Sequence, residues 1–508
     1  MTSDGPAPTP GIGPSRISDL PIGSDGDRVG GLARRVGRVG FLLTSRQVVV
    51  AGVNAIATAT VARVLGVGQF GQYAAALGTV TMLLVLCDLG FSSVLGRELA
   101  ASVDEKGRLL RAAVRAQTVV AAAVTVAIVV IAIGIGVTTI RGEVLLAMTP
   151  VVALSALGVY RLIFIVTFDV GFLARVDVVA NVVIQGTMIG VAVLSRTAVS
   201  IAVAYSAGTI TAALVVAWVG NHRLDQSRAS RRDVWPLARR AFPFGVNSIV
   251  TSAYFTIDLV LLQFLVGPHQ LGDYAAACKF LSIMVTLPGI LLSAALPAWS
   301  IVMTNHQDRS TLTARLTHWL AVTALPLNIG LCVFAGTAVR IAFGGSYSGA
   351  VPLLRILAGA GALGCLLNPL GMATVALALN RQQMIASVVA LTFNVAGNVL
   401  LVPLAGVTAS AWLTLATDAV AGSMIAFILR KKIAFRLILR TLGKPLMACG
   451  ALAAVGLALS GVPAIGLPAS AVAYVMVLSL MGGWPEEFSG HAARHWRKWR
   501  PGDASTSV

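Results

Sequence analysis

Leu65-Gly66-Val67-Gly68-Gln69-Phe70-Gly71-Gln72-Tyr73-Ala74-Ala75-Ala76 closes one apolar run and opens the next. Much later, Leu265-Val266-Gly267-Pro268-His269-Gln270-Leu271-Gly272-Asp273-Tyr274-Ala275-Ala276-Ala277 does the same. Gly71 matches Gly272 and Tyr73 matches Tyr274. Both copies lie between apolar runs, so the phrase marks a repeat of a whole helical bundle. Such repeats are a usual build of transporters, which alternate access by rocking one half against the other. An even number of apolar runs separates the copies, giving them one orientation. The repeat is therefore read as parallel, about an axis along the membrane normal.

Composition agrees with a membrane setting. Apolar residues make up 57% and charged residues 11%, with a mean hydropathy of +0.85. A soluble domain carries roughly 25% charged residues, so lipid must solvate most of this chain. At about 20 apolar residues per span, about fourteen spans are expected. They cover 41–65, 72–97, 113–139, 143–167, 174–195, 198–219, 241–266, 272–303, 312–337, 347–379, 382–402, 405–429, 442–461 and 464–483. The fold class is an all-α polytopic membrane protein. Interfacial turns or kinks are expected in the second, eighth and tenth spans, with Pro288 and Pro297 interrupting the eighth and Pro369 the tenth.

The net charge of +18 could suggest nucleic acid, but its distribution argues for a membrane, and no nucleic-acid partner is expected. Basic residues cluster in short loops, the pattern that orients membrane helices. Arg34, Arg35 and Arg38, Lys106 to Arg111, Arg223 to Arg240, Arg430 to Lys444 and Arg494 to Arg500 fall on one side. Arg63, Arg141, Arg196 and Arg340 fall on the other. Both termini are thereby expected in the cytoplasm, in a bacterial plasma membrane.

The organisation read from this is a disordered tail (1–40), a six-helix lobe (41–219), a basic cytoplasmic linker (220–240) and a second six-helix lobe (241–430). Two extra spans (431–483) and a basic tail (484–508) follow. Residues 1–40 lack the hydrophobic core of a cleaved signal. Trp484, Trp496 and Trp499 among basic residues read as a surface anchor. Cys87, Cys278, Cys332, Cys365 and Cys449 lie in apolar runs without Cys-x-x-Cys spacing and read as free, apolar thiols. His491 and His495 share a helix face but lack a third ligand, so no metal site is expected. No phosphate-binding glycine loop is present, so ATP is not expected as the direct energy source.

Several stretches resemble the bacterial polysaccharide flippases. These belong to the multidrug/oligosaccharidyl-lipid/polysaccharide exporter superfamily, which also holds lipid II flippases and multidrug extruders. The resemblance rests on Ala62-Arg63-Val64-Leu65-Gly66 through Tyr73, Asp88-Leu89-Gly90-Phe91 and Gly96-Arg97-Glu98-Leu99. It continues in Asp258 to Leu262, Gly272-Asp273-Tyr274, Leu287-Pro288, Ala295-Leu296-Pro297 and Phe393-Asn394-Val395 to Pro403 and Gly406. It implies two lobes around a V-shaped cavity, with the two extra helices guiding a lipid tail. It also implies export of a polyprenyl-linked oligosaccharide.

Polar residues inside apolar spans are the candidate site. A charge at the bilayer centre costs about 3 kcal/mol on insertion scales, so it persists facing a cavity or a partner. The candidates are Arg46, Asn54, Asp88, Asn247, Asp258, Gln263, Lys279, Arg355, Asn394, Asn398 and Asp418. Arg46, Lys279 and Arg355 would offset a pyrophosphate. Asp258 and Lys279 lie at equal depth on adjacent spans and are expected to form an ion pair. Asn181/Gln185 and Asn394/Asn398 share the four-residue step of one helix face, suited to sugar hydroxyls or to helix–helix bonds. Arg161 and Asp177, close to the cytoplasmic ends of their spans, read as cavity residues or as a structural pair at helix ends.

The function expected is a flippase for a polyprenyl-(pyro)phosphate-linked oligosaccharide in cell-surface polysaccharide biosynthesis. Its partners are the lipid-linked glycan, membrane lipids and glycosyltransferases or a polymerase of the pathway. No cofactor is expected, and H+ or Na+ is the coupling ion considered. The alternatives are a cation-coupled multidrug extruder on the same fold and a membrane glycosyltransferase.

Overall fold

The structure, a computed structural model, describes residues 25–101, 106–167, 169–224, 231–302 and 306–485. The expectations placed on the tail histidines, Trp496, Trp499 and linker residues 225–230 lie outside the described residues, as do the side chains of Arg46 and Arg231. Every regular element described is helical. In chain order these are α1 (Asp25–Asp88), α2 (Phe91–Ala101), α3 (Lys106–Ile135), α4 (Ile140–Ala153), α5 (Arg161–Val166), α6 (Val170–Ser195) and α7 (Ala198–His222). Then come α8 (Arg231–Leu265), α9 (Pro268–Val302), α10 (His306–Thr323), α11 (Leu325–Val333) and α12 (Ala335–Phe343). The last are α13 (Ala350–Ala376), α14 (Asn380–Ala405), α15 (Val407–Leu429), α16 (Phe435–Ala458) and α17 (Pro463–Leu480).

Among the described residues eleven helices are long and apolar enough to cross a membrane, or twelve if the bent pair at 140–166 is one span. That is short of fourteen. The difference lies at α1, counted once across its break at Gly66, and at α9, which is not among the eleven. The expected turn in the second span is there: α1 ends at Asp88, and Leu89 and Gly90 both have positive φ. The tenth is a correction, since α13 runs unbroken through Pro369. A proline removes one N–H, and a helix tolerates it where neighbours re-satisfy the freed carbonyl. The break falls instead in the fourth span, where α4 gives way at Leu154 to a 3-10 turn, Ser155–Tyr160, bent by 43°.

Helices α1–α7 pack mainly on one another, as do α9–α15, while α8 bridges from α1, α2 and α3 to α14. Helices α16 and α17 pair together and lie against α10 and α11. Tyr474 donates to the Val322 carbonyl, and His318 joins the Thr441 and Gly483 carbonyls. Leu194, Leu404 and Leu480 are exposed, as lipid-facing side chains are.

The repeated phrase sits where the two groups meet. A Cβ on Gly71 would run into the Gly272 backbone, and one on Gly272 into the Val67 carbonyl. The two copies thus pack backbone to backbone, which only glycine allows. Phe70, Tyr274, Tyr347 and Leu271 fill one continuous core around this seam. Tyr347 donates to the Ala62 carbonyl at 2.7 Å, and Arg63 to the carbonyls of Ala342 and Ile341. Arg141 donates to the Gln263 carbonyl in the last turn of α8. These arginines satisfy carbonyls that helix C-termini leave open.

At the basic end, Arg161 and Asp177 form an ion pair between α5 and α6, the structural one of the two roles considered for them. Arg240 pairs with Glu98 at 3.0 Å. Asp169 caps α6, accepting from the Phe172 N–H, and pairs with Arg223 at 2.7 Å. The Arg223 guanidinium holds the Asp169 carboxyl below the usual carboxylate range.

Candidate functional site

Two cavities with mixed polar and apolar linings flank the seam. The smaller, about 430 Å³, lies between α1, α9 and α12 and is lined by Gln47, Asn54, Thr58, Lys279, Ser282 and Thr286 among apolar neighbours. The larger, about 710 Å³, lies between α1, α3, the 3-10 turn and α8. Asp88, Ser92, Gln117, Ser155, Asn247, Ser248, Thr251 and Ser252 supply its polar lining. Both exist because polar side chains recur on one helix face. Asn247/Thr251 and Ser248/Ser252 repeat at four residues, as do Ser282/Thr286, so each pair stacks toward one side.

Lys279 is half-buried and carries no described hydrogen bond or ion pair. Asn54 Oδ1 accepts from Asn181 at 3.0 Å and from Gln185 at 2.7 Å. The shared face expected of Asn181 and Gln185 is therefore real, and it serves a contact between α6 and α1. Asp88 Oδ1 accepts from the Ser92 backbone and hydroxyl and from Gln117 at 3.0 Å. Asn247 is exposed at the larger cavity.

The remaining candidates stand elsewhere. Asp258 is a correction: it does not pair with Lys279. Its Oδ2 accepts from Tyr274 at 3.0 Å and Thr414 at 2.9 Å, and its Oδ1 from Asn398 at 3.3 Å. Tyr274 and Lys279 are five residues apart, roughly 140° around the helix, so α9 turns Tyr274 to Asp258 and Lys279 to the cavity. Asn394 and Asn398 are buried in that same cluster, Asn394 donating to Thr417 at 3.3 Å. The oxygen atoms Asn398 Oδ1 and Ser410 Oγ are buried there without a described partner. Gln263 is buried and donates to Thr79 at 3.2 Å, a bond between α8 and α1. Tyr254 donates to Asp418. Arg355 is exposed on α13 and lines neither cavity. Arg46 lies on α1 one residue before the cavity-lining Gln47.

The hydroxyl residues of α8 and α9, with Gln47 and Gln117, are what a reading by charge overlooks. The signal was available: hydroxyls and amides at a four-residue step within apolar helices.

Among solved structures, "Lipid II flippase MurJ, inward closed conformation" superposes with a TM-score of 0.73 at 12% identity, over 86% of this chain and 98% of that one. "Inward-facing conformation of a multidrug resistance MATE family transporter of the MOP superfamily" gives a TM-score of 0.57 at 14% identity, over 76% and 94%. At these identities the likeness is one of fold. "Teichuronic acid biosynthesis protein TuaB" of Bacillus subtilis (strain 168) is 29% identical over 137 residues, 26% of this chain. The match spans 28% of that relative's length. The model of the family described as "Polysaccharide biosynthesis protein" matches residues 36–303, more than half of the chain. The chain is a multi-pass membrane protein that belongs to the polysaccharide biosynthesis protein family and shares its fold with those two solved structures.

Proposed function

We propose that the protein is a flippase and not an enzyme, moving a polyprenyl-(pyro)phosphate-linked oligosaccharide from the cytoplasmic to the outer leaflet by alternating access. The two lobes are 41–219 and 241–430, and the basic end, with both termini, is cytoplasmic. The observation that carries this reading is Lys279, a cation without a described partner in a largely apolar cavity between α1 and α9. A lone charge in such a place is costly unless a ligand of opposite sign visits it. A pyrophosphate is that ligand.

Coupling to H+ or Na+ belongs to the same proposal. The Asp258 cluster gathers one carboxylate, amide and hydroxyl oxygens, two of them without a described partner. Hard cations favour such oxygen sets. A cation-coupled multidrug extruder is the second reading, favoured by the carboxylates Asp258 on α8 and Asp418 on α15.

Lys279→Ala tests the leading reading. Glycan export should stop at unchanged protein level, with lipid-linked oligosaccharide accumulating on the cytoplasmic leaflet. Arg239→Ala, an exposed charge near the start of α8 and outside both cavities, should do little. Normal export by Lys279→Ala would remove the anionic cargo and turn attention to drug efflux.

A further inference from the structure

We propose that the larger cavity is the sugar subsite of the cargo and that it takes uncharged hexose units. The inference rests on the flippase reading and adds where the parts of the cargo sit. At about 710 Å³ the cavity falls in the range of roughly 300–1,000 Å³ that small-ligand sites occupy. None of its described lining residues is Lys, Arg or His. A diphosphate meets no described counter-charge there, whereas Lys279 lines the smaller cavity.

What the larger cavity offers is carbohydrate chemistry. Asp88 spends Oδ1 on Ser92 and Gln117, and none of these bonds uses Oδ2, which stays available to a sugar hydroxyl. Asn247, Ser248, Thr251 and Ser252 supply donors and acceptors from α8. The exposed ring of Phe255 lines the same wall, a flat apolar face for a sugar's C–H side. Polar groups placed in an apolar wall fix orientation and specificity.

Position supports the division. Counting from Gly267 at ~1.5 Å per residue, Asn247 to Ser252 lie roughly 5–12 Å farther from the seam than Lys279. In depth, that offset sets sugars one step beyond a pyrophosphate held at Lys279. A uronic acid would bring its carboxylate beside Asp88, where like charges repel.

The test is equilibrium binding to the full chain in lipid nanodiscs. The probes are farnesyl pyrophosphate and its glucosyl, galactosyl, N-acetylglucosaminyl and glucuronosyl derivatives. At least one neutral sugar should tighten binding about tenfold over farnesyl pyrophosphate, the worth of one or two hydrogen bonds. The glucuronosyl probe should gain nothing. Thr251→Val with Ser252→Ala, which spares the Asp88 contacts to α2 and α3, should erase the sugar gain and leave farnesyl pyrophosphate unchanged. Asp88→Asn should do the same, and Lys279→Ala should weaken every probe. If farnesyl pyrophosphate binds but no neutral sugar adds affinity, or the gain survives these variants, the subsite is overturned and the flippase reading stands. If no probe binds, both fall.

Discussion

A methyl group on Gly71 would lie on the backbone of Gly272 and Pro268, while one on Gly68 meets nothing nearer than the Pro268 Cβ at 3.9 Å. The two glycines stand three residues apart, so Gly→Ala at each should have opposite signs. Gly71→Ala must push α1 and α9 apart, a change that costs about 1–3 kcal/mol in a packed core. Gly68→Ala gains about 0.5–1 kcal/mol from the lost freedom of glycine in a helix. Melting the two purified variants in one detergent decides it, and equal shifts would show that the seam is loose. Asp258 and Lys279 teach a related lesson. Their depths were read from the loop between them as equal, and the angle of about 140° between Tyr274 and Lys279 was just as legible. Only the depth was read. Because the two side chains serve different surroundings, Asp258→Asn and Lys279→Met should combine additively in a double-mutant cycle. Coupling above about 1 kcal/mol would restore the ion pair.

Helix positions were largely legible because an apolar run of span length has few other uses. Observed helices such as Ala198–His222 and Val407–Leu429 match expected spans 198–219 and 405–429 closely. Breaks were harder, since hydropathy records composition and not how a neighbour re-satisfies a carbonyl. Pro369 leaves α13 continuous, whereas Gly66, with φ 70 and ψ 171, splits α1 inside the quoted phrase. The start of α6 is fixed by chemistry that hydropathy does not register: Asp169 caps it and is held by Arg223. The lowered pKa of Asp169 gives the sign of a pH effect. A depressed carboxyl stabilises the fold fully above its unfolded value of about 3.9 and loses that contribution as pH falls through the lowered one. Arg223→Gln should therefore melt below the parent near neutral pH, with the difference shrinking toward about pH 3. A gap that holds or widens in acid would assign the effect to the cation–π contact of Arg223 with Phe164.

At the scale of the molecule, the repeat was legible as a duplication, but its two copies gave no sign that they would pack against each other. That contact has a mechanical consequence under alternating access: the seam must part once in every cycle. The separation of 3.9 Å between the Pro268 Cβ and a Cβ placed on Gly68 lies within the roughly 3.5–4.5 Å that a disulfide requires. Gly68→Cys with Pro268→Cys should therefore crosslink α1 to α9 on mild oxidation, holding this end closed. Each single variant should export glycan normally before and after oxidant, because the native cysteines are buried or half-buried and free. The double variant should export when reduced, stop when oxidised and resume with reductant, with the crosslink followed by a mobility shift on a gel. If the oxidised double variant is fully crosslinked and still exports at the reduced rate, the cargo does not pass between the two helix groups. Transport would then have to follow the lipid-facing surface, and Lys279 would lose its role.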